Sequence, residues 1–93
     1  MITAEEIRKS MRISSSNLDD EIKNTMEACL LDMERVGIAV ESQDKLMDKA
    51  ITLYCKADFD YQGKGERYQK NYEQLRDAMS LCEKYRKGDS EDV

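Results

Sequence analysis

Histidine, tryptophan and proline are all absent from this chain of 93 residues. Without histidine the chain lacks the commonest general base and the usual nitrogen ligand of zinc, so no Ser/His or Cys/His catalytic pair can form. No apolar run approaches the ~20 residues that a membrane-spanning helix requires, and we expect no membrane span. The first residues have neither a basic start nor an apolar stretch, so no secretory signal is expected.

Charge, by contrast, is abundant. Charged residues make up 38% of the chain and apolar residues 40%, which suits one small folded domain rather than a disordered chain. The net charge is −5, and it is −2 without the last six residues, which hold three acidic and no basic side chains. We therefore expect a helical domain over residues 1–87 and a disordered acidic tail over 88–93. This lack of excess positive charge argues against tight binding to duplex DNA. It does not exclude a basic face on one part of the surface.

The three cysteines predict structure rather than chemistry. Cys29, Cys55 and Cys82 stand 26 and 27 residues apart and form no C-x-x-C pair. Their odd number and wide spacing favour neither a disulfide framework nor a zinc site. Each lies on an apolar helical stripe, so we expect three reduced, buried thiols, in keeping with a cytoplasmic origin. The sequence thus predicts no cofactor, no metal ion and no catalytic constellation.

Apolar spacing predicts an all-α fold, a compact bundle of one short N-terminal helix and three longer helices. The first helix should start at a capping box formed by Thr3 and Glu6. Gly37 is the expected left-handed stop of the second helix. Ser16 or Asn17 is expected to cap the second helix, and Ser42 the third. The predicted helices span residues 4–11, 18–36, 43–59 and 66–87.

Each longer helix has a predicted buried side. The second helix carries one apolar stripe. Leu31 lies outside this stripe and is therefore available for a contact other than with the core. The expected buried side of the third helix comprises Leu46, Met47, Ala50, Ile51, Tyr54 and Ala57. The fourth helix has a heptad-like seam of Tyr68, Tyr72, Leu75, Met79 and Cys82, widened by Ala78, Leu81 and Tyr85.

Three local patterns imitate binding motifs. The acidic run 19–21 is better explained by the positive end of a helix dipole than by a cation site. The segment 62–65 contains two glycines and a lysine but lacks the spacing of a phosphate loop, and we interpret it as a break between helices. The third pattern mixes Lys56, Lys64, Arg67, Lys70 and Arg76 with Tyr61, Tyr68 and Tyr72. Helix packing explains it best, a protein interface next, and single-stranded nucleic acid least.

Five segments taken together resemble a known family. They are Met1–Ile7, Met11–Ile13, Leu18–Ile22, Ala50–Tyr61 and Glu66–Arg76. In their order and spacing they are similar to the small head–tail connector proteins of tailed bacteriophages, also called head-completion or DNA-packaging adaptor proteins. The likeness spans residues 1–86 and rests on helix-packing patterns, without a chemical signature.

The resemblance implies an all-α fold and no enzyme activity. It also implies a homo-oligomeric ring of about twelve copies beneath the portal protein, extending the DNA channel and receiving the tail or a stopper protein. DNA would pass through without specific binding. The protein would belong to the virion at the head–tail junction, would occupy the bacterial host cytoplasm before assembly, and could come from a phage or a prophage. The acidic tail and the end of the fourth helix are expected to become ordered only against the portal.

Two further expectations concern surfaces. The candidate subunit or partner interface consists of apolar residues of the first helix, of residues 38–40 and of isolated positions elsewhere: Ile2, Ile7, Met11, Leu31, Ile38, Val40, Tyr61 and Tyr85. The alternative function is a small helical DNA-binding regulator of phage or plasmid origin. Its recognition helix would be the fourth, acting through Arg67, Lys70, Asn71, Gln74 and Arg76. An enzyme subunit is a third, weaker option.

Overall fold

Four amphipathic segments of this sequence form helices in a computed structural model, which describes residues 1–42 and 44–86. The helices are α1 (Ala4–Ser10), α2 (Asp19–Arg35), α3 (Lys45–Asp58) and α4 (Gly65–Ser80). Single 3-10 turns cover Ser16–Leu18, Val40–Ser42, Tyr61–Gly63 and Glu83–Tyr85. The prediction of an all-α bundle with one short and three longer helices is confirmed. Helix α3 packs against both α2 and α4, and α1 packs on α2.

Helix α1 begins at the predicted capping box. The Thr3 hydroxyl accepts from the Glu6 amide at 3.1 Å, and the Thr3 amide donates to the Glu6 carboxylate at 2.9 Å. These two bonds satisfy backbone donors that the first helical turn leaves free. At the other end, Arg8 forms an ion pair of 2.9 Å with Asp19, which ties α1 to the start of α2.

The start of α2 differs from the prediction. Ser15, not Ser16 or Asn17, supplies the capping hydroxyl, and it accepts from the Asn17 amide at 3.1 Å. This cap serves the 3-10 turn Ser16–Leu18, and α2 follows that turn directly with no side-chain cap of its own. The turn occupies the polar stretch in which the prediction placed the helix cap.

The end of α2 agrees with the prediction. Gly37 has a left-handed φ of 91°. Its amide donates to the Glu34 carbonyl at 2.9 Å, and the Ile38 amide donates to the Met33 carbonyl at 3.0 Å. This pair of bonds is a Schellman motif, in which glycine tolerates a conformation that a β-carbon would strain.

Helix α3 begins two residues later than predicted. Its N-cap is Asp44, whose carboxylate accepts from the Met47 amide at 3.1 Å, and the expectation that Ser42 caps this helix is wrong. The reason is that Ser42 still belongs to the preceding 3-10 turn, whereas Asp44 has the extended backbone that an N-cap needs.

The break between α3 and α4 is confirmed. Gly63 has a φ of 70°, and Asp60 and Gln62 also have positive φ. Gly65 is the first residue of α4, and a β-carbon there would lie 2.6 Å from the Asp60 carboxylate and 3.0 Å from the Ala57 carbonyl. The Gly65 amide donates to that same Asp60 oxygen at 2.8 Å. Close approach of the backbone, rather than an unusual φ, is therefore what requires glycine at position 65.

Helix α4 is shorter than predicted. It ends at Ser80, and the chain turns back through a 3-10 turn at Glu83–Tyr85. The Tyr85 carbonyl accepts from the Ala39 amide at 2.7 Å, and Arg86 forms an isolated antiparallel bridge with Ile38. Tertiary contacts with the 38–39 link thus replace the last predicted turns of the helix. Residue 87 and the predicted acidic tail lie outside the described residues.

The core contains most of the predicted apolar positions. Its buried members are Ala4, Ile7, Met11, Ile22, Met26, Cys29, Met33, Ile38, Met47, Ala50, Ile51, Cys55, Tyr72, Met79 and Tyr85. Four residues predicted to be buried are exposed instead: Leu46, Ala78, Leu81 and Cys82. Leu81 and Cys82 are exposed because α4 ends before them. Two of the three cysteines are therefore buried, and the prediction is wrong for Cys82.

Candidate assembly surfaces

The eight predicted interface residues divide into two groups in the single chain. Ile7, Met11, Ile38 and Tyr85 are buried in the chain's own core. Ile2, Val40 and Tyr61 are half-buried, and Leu31 is 67% exposed. The second group supplies side chains that a partner can reach without unfolding the bundle.

Leu31 is the centre of an apolar strip with acidic edges, which we call the acidic ridge. The buried residues of α2 face the core of the bundle, and Leu31 lies on the opposite side of the helix. Leu30 and Val40 flank it and are half-buried. Glu27 and Glu34 complete the lining of this surface. Leu31 and Val40 were predicted from the sequence, but the two glutamates were not. Each glutamate lies three residues from one of Leu30 and Leu31 and four from the other, a spacing that places it on the same face of the helix.

A second surface lies between α3 and α4, and we call it the basic groove. It is a groove of about 590 Å³. Its residues combine two lysines, two leucines, one tyrosine and three neutral polar side chains: Lys49, Lys56, Leu53, Leu75, Tyr68, Thr52, Asn71 and Gln74. The groove could not be read from the sequence, because its two sides come from helices whose alignment only the fold defines.

Two tyrosine rings hold the cation of Lys56 in place beside this groove. The Lys56 Nζ lies 5.2 Å from the ring centre of Tyr61 and 5.6 Å from that of Tyr68. Both distances are within the range of a cation–π attraction. Part of the basic and aromatic cluster predicted from the sequence is thus brought together, whereas Tyr72 and Arg76 are engaged elsewhere.

Tyr72 and Arg76 belong to a polar network centred on Asp32. The Tyr72 hydroxyl donates to the Asp32 carboxylate at 2.6 Å, Arg76 donates to it at 3.0 Å, and Arg35 at 2.7 Å. Partial burial acts to raise the pKa of Asp32, but these three donors hold it down to about 2. Burial and the adjacent carboxylate both raise the pKa of Tyr72. The network fastens α4 to α2 and leaves Arg76 with only 15% of its side chain exposed.

Asp44 is the centre of a second polar network. Its carboxylate accepts from the Tyr85 hydroxyl and the Met47 amide and forms an ion pair of 3.2 Å with Lys84. Donation by Tyr85, followed by that of Met47, lowers the pKa of Asp44 to about 2. The 3-10 turn at Glu83–Tyr85 is thereby fixed to the start of α3.

The buried thiols are placed for packing. The Cys29 Sγ lies 3.9 Å from the Tyr72 hydroxyl and 3.9 Å from the Met33 sulfur. Burial raises the pKa of Cys29 and of Cys55 to about 12 in both cases, so neither is a thiolate at neutral pH. Within residues 1–42 and 44–86 no three His, Cys, Asp or Glu side chains come together as a metal site. Nor does any described helix have the length and apolar character to cross a membrane.

Comparison with known proteins identifies the family to which the chain belongs. A family model described as phage connector protein matches residues 4–86, which run from the start of α1 to the bridge with Ile38. The chain belongs to the phage connector protein family. No curated protein and no solved structure matches it. Membership confirms the resemblance drawn from the sequence and supports a structural, head–tail connector role in general terms.

Proposed function

We propose that the protein is a head–tail connector subunit that assembles as a ring of about twelve copies beneath the portal protein. The ring links capsid to tail, extends the DNA channel and offers a platform to the tail or a stopper protein. It performs no chemistry. The observation that carries the proposal is the family match, which includes all four helices and the C-terminal turn. The protein then belongs to the virion at the head–tail junction and to the host cytoplasm before assembly.

The exposed apolar side chains support assembly. Leu31 is 67% exposed, Leu46 45% and Leu81 83%. A domain of this size buries a smaller share of its surface than a large protein does, so contacts with neighbours add stability by mass action. A ring needs two different, complementary faces on each subunit. The acidic ridge and the basic groove are two such faces.

The charge distribution supports passage of DNA without capture. The whole chain has a net charge of −5. A protein that grips duplex DNA neutralises several phosphates with a basic surface. Here Arg8, Arg35 and Arg76 already form ion pairs with aspartates of the same chain. Arg8 and Arg76 are also largely buried, so these two arginines are poorly available to phosphates.

Electron microscopy of negatively stained protein tests the ring. The purified chain is imaged at high concentration, alone and mixed with the portal protein of the same phage or prophage. Rings with a central hole in either sample are expected. Their absence from both samples contradicts the proposal, since the second sample supplies the template on which a ring would build.

The DNA-binding regulator has one observation in its favour, which is the polar face of α4. Arg67, Lys70, Asn71 and Gln74 are all exposed. Arg76, the fifth residue of that hypothesis, is held by Asp32 and Asp77. A gel-shift titration with duplex DNA separates the two functions. A regulator binds and loses affinity steeply as salt rises, whereas a connector shows almost no binding even at low salt.

A further inference from the structure

We infer that the acidic ridge of one subunit docks into the basic groove of the next. This inference rests on the proposed function, because it names the faces through which the ring would close. The ridge is the strip Glu27, Leu30, Leu31, Glu34 and Val40 on the outer side of α2. The groove is the α3–α4 surface with Lys49 and Lys56 at its basic positions. The occupant of the groove is therefore a second copy of this chain.

The two surfaces are complementary in charge. Both basic residues of the groove are lysines, and both charged residues of the ridge are glutamates. Opposite charges across an interface speed encounter, fix the register and exclude wrong partners. Lys56 is already oriented by Tyr61 and Tyr68, so little side-chain freedom remains to be lost when it meets a carboxylate.

The apolar parts are complementary as well. Leu31 projects from the ridge with two thirds of its surface exposed. The groove offers Leu53 and Leu75, both half-buried, between its polar residues. Insertion of Leu31 would remove apolar surface from water on both subunits. The glutamates and lysines would then form the polar rim that surrounds an apolar centre in protein interfaces.

The arrangement favours a head-to-tail contact over a symmetric one. Ridge against ridge would bring the glutamates of two subunits together, and groove against groove would do the same with lysines. Like charges placed opposite each other suppress such pairings. Ridge and groove also share no residue, so one subunit can use both at once. Repetition of a head-to-tail contact gives a ring when the rotation closes.

Charge reversal on each face tests the pairing. The ridge variant is Glu27→Lys with Glu34→Lys, and the groove variant is Lys49→Glu with Lys56→Glu. Sedimentation velocity is measured under the conditions in which the unaltered chain forms rings. Each variant alone is expected to associate at least about tenfold more weakly, because like charges then meet across the contact. An equimolar mixture of the two, and the chain with all four substitutions, should recover association.

Matched controls change the net charge without touching either face. Glu73→Lys with Glu83→Lys matches the ridge variant, and Lys9→Glu with Lys64→Glu matches the groove variant; all four residues are exposed. Both controls should associate like the unaltered chain. Circular dichroism of every variant confirms that the helices are retained.

The outcomes separate this inference from the proposed function. If the unaltered chain and both variants form rings equally well, the proposed ring is supported, but the assignment of the ridge and the groove as its contact faces is wrong. If each variant loses association but the mixture and the four-substitution chain do not recover it, the direct pairing of ridge with groove is contradicted. If no ring forms under any condition, with or without portal protein, the proposed ring itself fails and the docking contact fails with it.

Discussion

Tyr72 of α4 donates its hydroxyl hydrogen to Asp32 of α2 across 2.6 Å, joining residues that lie 40 positions apart in the sequence. Both helices also pack against α3, so this bond adds a direct link between α2 and α4. Arg76 adds a second link from α4 to the same carboxylate. A single aspartate therefore fixes the relative position of α2, which carries the acidic ridge, and α4, which forms one wall of the basic groove.

Removing the Tyr72 hydroxyl should weaken the bundle. In Tyr72→Phe the ring keeps its edge-on contact with Tyr54, at 5.0 Å between centres, but Asp32 loses one donor. Hydrogen bonds to charged groups contribute about 1.5–3 kcal/mol, and we expect a loss of that order in the free energy of unfolding. Urea denaturation measures it. Tyr68→Phe is the control. An equal loss of unfolding free energy in both variants would show that the bond to Asp32 adds no more stability than another tyrosine hydroxyl does.

Acid should remove the contribution of Asp32. Partial burial opposes ionisation, but donors from Tyr72, Arg35 and Arg76 hold its pKa at about 2 in the folded chain. An unfolded aspartate has a pKa of about 3.9, so the folded state binds fewer protons between these values. The resulting stabilisation, about 2 kcal/mol, is complete above roughly pH 4 and is lost as the pH falls through 2.

The comparison of the unaltered chain with Asp32→Asn isolates this contribution. The difference in their free energies of unfolding should be largest at neutral pH and should shrink between pH 4 and pH 2. Asp44 also has a lowered pKa, but it is present in both proteins and cancels from the difference. A difference that stays constant from pH 7 to pH 2 would contradict the assignment.

The sequence predicted those parts of the fold that are set by neighbours along the chain. Thr3 with Glu6 and the stop at Gly37 depend on residues a few positions away, and both are confirmed. The end of α4 was missed because Leu81 and Cys82 continue its apolar spacing, whereas the turn is stabilised by Asp44, a residue far away in the sequence. For the same reason Leu31 could be identified from its helix alone, and the basic groove, which two helices build, could not.

Two substitutions at Asp44 separate its two roles. Asp44→Asn retains a side-chain oxygen that can accept from the Met47 amide and so keeps the N-cap of α3. It removes the negative charge that binds Lys84 and the strong acceptor for Tyr85. Asp44→Ala removes both roles, and we expect it to lower the melting temperature more than Asp44→Asn does. If the two variants melt at the same temperature, the cap contributes nothing.

Hydrogen exchange reports on the C-terminal turn in the same variants. The Ala39 amide donates to the Tyr85 carbonyl at 2.7 Å, so its protection depends on the turn staying in place. Exchange at Ala39 should become faster in Asp44→Asn, in Asp44→Ala and in Tyr85→Phe, since the first two remove the carboxylate that accepts from Tyr85 and the third removes the hydroxyl that donates to it. Unchanged exchange in all three would show that the burial of Tyr85 alone holds the turn.

Cys82 should be the only one of the three cysteines to react with a thiol reagent in the folded protein. It follows the end of α4 and is exposed, whereas Cys29 and Cys55 are buried. Burial raises the pKa of each of these two thiols to about 12, so the reactive thiolate is scarce as well as inaccessible. Mass spectrometry after brief treatment with iodoacetamide should show one modification per native chain, three in denaturant, and none in native Cys82→Ser. Rapid modification of Cys29 or Cys55 in the native state would mean that the α2–α3 contact opens readily, and the two assembly surfaces could then not be treated as parts of one rigid bundle.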